Sequence, residues 1–143
     1  MKRIVVGVDG SEPSRRALQW AVDEARLHGG TVTAVHAWMP PYIGGYPYTS
    51  TIFRPGELEQ AARQVLDDLV DTVDERDLAA PVERLVVEGA PAKELIDAAK
   101  DADLLVVGSR GRGGFTGLLL GSVSQAVCHH ATCPVVVIPA DAG

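Results

Sequence analysis

Aromatic residues are scarce in this chain: two Trp, three Tyr and two Phe in 143 residues. Its core must therefore come from Val, Leu, Ile and Ala. Two cysteines are too few for the disulfide framework of a small secreted domain. Basic residues are outnumbered, 13 Lys and Arg against 19 Asp and Glu, for a net charge of −6. A broad nucleic-acid face, which needs clustered positive charge, is excluded as an expectation. No run approaches the roughly 20 apolar residues of a membrane helix. The apolar run that follows the N-terminal Lys2 and Arg3 breaks at Gly7 and Asp9, before a signal-peptide core can form. With 46% apolar residues the chain is too hydrophobic to be disordered. These absences leave a soluble, reducing, cytoplasmic protein, with residues 1–143 read as a single domain.

What is present is unevenly spread. Five of the seven aromatics (Trp38, Tyr42, Tyr46, Tyr48 and Phe53) fall within one short stretch. Six of the fifteen glycines (Gly108, Gly111, Gly113, Gly114, Gly117 and Gly121) fall within another. A core of aliphatic side chains needs neither cluster, so both invite a functional reading.

Short β-branched runs at residues 4–8, 32–38, 85–87, 104–107 and 135–138 read as strands. Most lack polar alternation, the pattern of strands covered on both faces of a parallel sheet. Helical periods lie between them. Ser11 with Pro13 opens the first helix and Gly29-Gly30 stops it. Leu58, Ala61, Ala62, Val65, Leu66, Leu69, Val70 and Val73 draw one apolar stripe along a second. Pro91 opens a third, carrying Leu95, Ile96 and Ala99, and a fourth starts near Ser122 with Val123, Ala126, Val127 and His130 on one face. Strict alternation of strand and helix predicts an open parallel α/β sheet with helices on both faces. Residues 39–56 form the one long loop, and Tyr42, Tyr46, Tyr48 and Phe53 either close over a ligand as a lid or pack on the helices.

In such sheets ligands bind beyond the carboxyl ends of the strands, at the topological switch point. The first strand runs into Gly7-Val8-Asp9-Gly10-Ser11, and the fourth into Gly108-Ser109-Arg110-Gly111-Arg112-Gly113-Gly114 and on to Gly121-Ser122. Glycines let backbone N–H groups wrap an anion, and a helix N-terminus adds positive dipole. Ser122 is either a hydroxyl donor or the helix cap, and Arg110 and Arg112 add charge. The blander alternative is a surface loop with solvated arginines. Gly113 is followed by Gly114-Phe115 rather than Lys-Ser or Lys-Thr, which excludes a P-loop. The first strand is not followed by a dinucleotide fingerprint. Asp9, before Gly10-Ser11, is either a ligand-facing group or simply a turn former.

The chain resembles the ATP-binding branch of the universal stress proteins along nearly its whole length. The residues that carry the likeness are Ile4 to Ser11, Val35-His36-Ala37, Glu88-Gly89-Ala90-Pro91 and the run from Ala102 to Gly111. The most specific element is a glycine signature, Gly, two residues, Gly, nine residues, then Gly followed by Ser or Thr. Here it is Gly108, Gly111 and Gly121-Ser122. The resemblance implies a Rossmann-like sheet of the adenine nucleotide alpha hydrolase type, strand order 3-2-1-4-5, binding ATP (or ADP or AMP) with magnesium. It sets Asp9 near the ribose, or near a nucleotide-bound magnesium ion, and Gly7 and Val8 beside it in the binding site. It puts the Ala37 backbone on the adenine and Gly108 under the ribose. Phosphates would lie on Gly111, Gly121 and Ser122, with Val123 and Ser124 close by, and Ser109, Arg110, Arg112 and Gly113 belong to the same loop. It also implies a homodimer through the last strand, Val135 to Ile138, whose unpaired apolar edge invites a second copy.

No catalytic constellation stands out, so the reading is a nucleotide-responsive regulator of stress or dormancy physiology with at most slow ATP hydrolysis. One alternative is an adenylating or ATP-hydrolysing enzyme of the related α/β superfamily, against which Gly7-Val8-Asp9-Gly10-Ser11 departs from the expected Ser-Gly-Gly-x-Asp-Ser loop. A second is a nucleotide-independent interaction module. His36 is expected to be a satisfied core histidine, His129 and His130 to complement a helix C-terminus, and Cys128 and Cys133 to behave as small hydrophobes.

Overall fold

The computed structural model describes residues 2–40, 42–43, 46–47, 56–110 and 120–139. The strands are β1 (Arg3–Gly7), β2 (Thr31–Trp38), β3 (Tyr42–Ile43), β4 (Tyr46–Pro47), β5 (Glu83–Glu88), β6 (Leu104–Gly108) and β7 (Val135–Ile138). The helices are α1 (Glu12–His28), α2 (Glu57–Val70), α3 (Pro91–Ala98) and α4 (Ser122–His130). Five strands form one parallel sheet in the order β5-β2-β1-β6-β7. Counting those five along the chain, this is the expected 3-2-1-4-5.

Central strands are covered on both faces, which is why they carry no polar alternation. Ile4, Val5, Val6, Leu105 and Val106 are fully buried. Alternate residues point to opposite faces, so Ile4, Val6, Val32, Ala34 and Val106 pack with Leu18 and Val22 of α1 and Leu66 and Val70 of α2. Val5, Val35, Leu105 and Val107 pack on the other face, against Leu95 of α3 and Val127 of α4.

The helix ends follow local chemistry. The Ser11 hydroxyl accepts from the Ser14 amide at 3.3 Å, and Pro13 needs no amide partner in that first turn. Gly29 stops α1 in the left-handed conformation, φ 68°, with its amide donating to Ala25. Pro91 is the first residue of α3.

Some expectations shift. The α2 stripe ends at Val70, Ala61 is exposed, and Val73 is buried beyond the helix. Cys128, His129 and His130 at the end of α4 are exposed, so His130 does not continue the apolar face of Val123 and Val127, whereas Cys133 packs against the core. Within the expected 39–56 loop, Tyr42–Ile43 and Tyr46–Pro47 form a two-stranded antiparallel ladder. Tyr48 and Phe53, and with them the idea of a lid, lie outside the described residues.

Candidate functional site

The sheet changes winding direction at β1. The chain leaves β1 for β2 on one side and returns later to β6 on the other. Beyond the carboxyl ends of β1 and β6 the following loops separate, and a cleft of about 270 Å³ opens there. That is close to the lower end of the about 300–1,000 Å³ common for small-molecule sites.

The floor is apolar. Gly7, Val35, Ala37 and Val107 lie on the sheet face that carries α3 and α4, and Pro91 and Leu95 of α3 wall one side. Gly7 makes this packing possible, because a Cβ there would stand 2.5 Å from Leu95 Cδ1. The opposite wall is the first turn of α4, Gly121, Ser122, Val123 and Ser124. Val8, Asp9, Ser14, Gly108 and Arg110 complete the lining, with one negative and one positive side chain among them.

The two helix starts at the cleft are built differently. At α1 side chains of the first turn and the preceding loop supply partners. Asp9 Oδ1 accepts from both the amide and the hydroxyl of Ser11, the amide at 2.9 Å, and the Ser14 hydroxyl donates to the Ser11 carbonyl at 2.9 Å. At α4 the residue preceding the helix is Gly121, in ordinary extended conformation (φ −76°, ψ 172°), with no side chain to cap it. Its carbonyl already takes the Gln125 amide at 3.0 Å. The amides of the first helical residues have no intrahelical acceptor, and this end of the dipole is positive.

Most of the residues picked from the sequence therefore meet in space. Gly7, Val8, Asp9, Ala37, Gly108, Arg110, Gly121, Ser122, Val123 and Ser124 all line the cleft. Ser109 is behind the wall, 6% exposed, with its amide donating to the Ile138 carbonyl at 2.8 Å. Gly111, Arg112 and Gly113 lie outside the described residues. Ser122 is the first residue of α4 rather than its cap, a position that Gly121 takes. His36 Nδ1–H donates to the Val8 carbonyl at 3.0 Å and so steadies the loop after β1.

Ser14, Val35, Pro91, Leu95 and Val107 line the cleft without having been singled out. Val35 was within reach, since strand period sets it on the same face as Ala37 two residues on. Among the described residues no group of three or more His, Cys, Asp and Glu is close enough to hold a metal ion.

The universal stress protein family model matches residues 1–139. The chain belongs to the universal stress protein family. A universal stress protein of Mycobacterium tuberculosis (strain H37Rv) is 42% identical over 134 residues, covering 94% of this chain and 44% of that protein. The chain thus spans less than half the length of the curated relatives it matches, 44% here and 45% for a universal stress protein of Mycolicibacterium smegmatis. Among solved structures, the universal stress protein of Archaeoglobus fulgidus in complex with dAMP is 28% identical, with a TM-score of 0.59 and coverage of 96% of this chain and 98% of that one. A universal stress protein in complex with cAMP is also 28% identical, with a TM-score of 0.67 and coverage of 96% of each chain. No described helix of this universal stress protein is long and apolar enough to cross a membrane.

Proposed function

We propose that this chain binds an adenine nucleotide, ATP (or ADP or AMP) with magnesium, in the cleft between Asp9 and Gly108, and serves as a nucleotide-responsive regulator. The observation that carries the reading is the uncapped start of α4 facing an apolar slot at the switch point. The structures named with dAMP and cAMP support it from relatives at 28% identity. The base and ribose occupy the floor formed by Gly7, Val35, Ala37 and Val107. The phosphates take the free amides of Ser122, Val123 and Ser124, with Arg110 adding positive charge.

Magnesium fits this site only as the nucleotide's own companion. It favours one or two carboxylates plus phosphate oxygens and water, and Asp9 is the one carboxylate among the described lining residues. One Asp9 oxygen already serves Ser11, which argues against Asp9 as a general base. Hydrolysis is therefore at most slow. Cytoplasmic placement, one domain over residues 1–143 and a homodimer joined at the outer edge of β7 complete the proposal. The β7 edge carries no charged residue, unlike β5 with Glu83 and Glu88 at its ends.

Thermal melting with ATP, ADP, AMP and cAMP, with and without magnesium, tests the reading. A ligand at a hundred times its Kd stabilises by about 2.7 kcal/mol, about 5–10 °C for a chain of this size. No rise with any of the four at millimolar concentration overturns it.

A further inference from the structure

Ser124 lines the cleft wall, but its hydroxyl proton is not free for a ligand. It is 2% exposed, and its hydroxyl lies 2.8 Å from the Ser109 carbonyl oxygen and 3.0 Å from that of Gly121. Carbonyls only accept, and a hydroxyl has a single hydrogen. That hydrogen is committed to two backbone oxygens inside the protein.

Those two oxygens belong to the two halves of the site. Ser109 follows directly on β6, and its amide is tied to Ile138 of β7 at 2.8 Å. Gly121 precedes α4, and its amide donates to the same Ser109 carbonyl at 2.6 Å. Ser109 O therefore receives the Gly121 amide and the Ser124 hydroxyl together. This oxygen ties the start of α4 to the end of β6.

We propose that Ser124 is a positioning residue whose hydroxyl fixes the first turn of α4 against β6, so that the amides at Ser122 and Val123 stand where phosphates need them. The proposal rests on the nucleotide reading above and adds to it a division of labour. The Ser124 backbone serves the ligand, while its side chain holds the wall. Because the hydroxyl acts on the phosphate wall and not on the floor under the base, its loss separates ligands by their phosphates.

The test is Ser124→Ala, a change that favours helix formation and so keeps α4 intact. Calorimetric titration with ATP and with adenosine is run on both proteins, alongside amide hydrogen exchange without ligand. Losing a buried hydrogen bond at the wall lowers ATP affinity about tenfold and changes adenosine affinity by less than about twofold. Exchange at the Gly121 amide quickens about tenfold, while the Val5 and Val106 amides keep their protection. Equal losses for ATP and adenosine, an unchanged ATP affinity, or an unchanged Gly121 amide overturns the positioning role and leaves wild-type nucleotide binding standing. Wild-type protein that binds neither ligand overturns the nucleotide reading itself, and the positioning role falls with it.

Discussion

Leu95 of α3 lies across Gly7 at the end of β1, so closely that a Cβ on Gly7 would stand 2.5 Å from its Cδ1 and 2.9 Å from its Cδ2. Both residues line the cleft. The neighbour is the far end of a flexible side chain, so Gly7→Ala swings Leu95 instead of breaking the sheet. The expected result is a folded protein, destabilised by about 1–3 kcal/mol through overpacking, with nucleotide affinity reduced because Leu95 enters the floor space. Adding Leu95→Ala restores the room, and calorimetry on the double variant should recover most of the affinity. Affinity equal to wild type in the single variant removes Leu95 from the account.

Gly121 offers a way to separate folding from binding. Its backbone angles suit any residue, so glycine is not there for conformational freedom. Gly121→Asp would place a carboxylate over the amides of the first α4 turn, which caps the helix and complements its dipole. Stability should hold or rise by a few tenths of a kcal/mol. ATP affinity should fall at least about a hundredfold, because the carboxylate takes the amides and repels the phosphates. Melting curves and ATP titrations on the same preparation check both halves. A variant that melts as wild type and still binds ATP normally would mean the phosphates lie elsewhere.

The sheet was legible because its central strands are buried on both faces, and Val, Leu and Ile runs bounded by Gly, Pro and Asp reflect that burial directly. The α4 wall of the cleft was legible through Gly108 and Gly121-Ser122, whose spacing joins the end of β6 to the start of α4. Leu95 was not. Its position in α3 marks it only as core, and its role arises from the missing side chain at Gly7 on the sheet face beneath it. Ser124 appeared as a member of a ligand loop, yet its hydroxyl turns inward to the Ser109 carbonyl. Which way a small hydroxyl points is decided by backbone carbonyls that come together only in three dimensions. His130 shares helical spacing with Val123 and Val127, yet it is exposed while Val127 is fully buried.

The turn after α1 carries two glycines with different reasons. Gly29 has φ 68° and open space around it, so Gly29→Ala costs about 1 kcal/mol in left-handed strain alone. A Cβ on Gly30 would stand 2.5 Å from the Lys2 carbonyl oxygen, which also accepts the Thr31 amide at 2.9 Å. Backbone paired into the sheet does not yield as a side chain does, so Gly30→Ala is the more damaging change. Urea unfolding should rank wild type above Gly29→Ala above Gly30→Ala, with nucleotide affinity of the folded fraction unchanged in all three. Reversal of the two variants would show that β1 shifts easily at its start.

Acid should expose the contribution of Asp74. Its carboxylate takes the Arg76 guanidinium through Nη2 at 2.6 Å and Nε at 2.9 Å, and the Arg76 amide at 3.0 Å. The Arg76 side-chain bond, then the backbone bond, hold its pKa down at about 2 against an ordinary 3.8. A carboxyl with a lowered folded-state pKa binds its proton more readily when unfolded. Its stabilisation is therefore complete above about pH 4 and disappears as pH falls toward 2. The same turn is fastened to α1, since Arg26 donates to the backbone carbonyls of Asp74 at 2.7 Å and Arg76 at 3.0 Å. The melting temperature of wild type should exceed that of Asp74→Asn by a steady small margin from pH 7 to about 4, and the two should converge by about pH 2. Because the pair is fully exposed, added salt should narrow the margin at neutral pH. A margin that persists at pH 2 would assign the effect to packing of the turn and not to the ionised carboxylate.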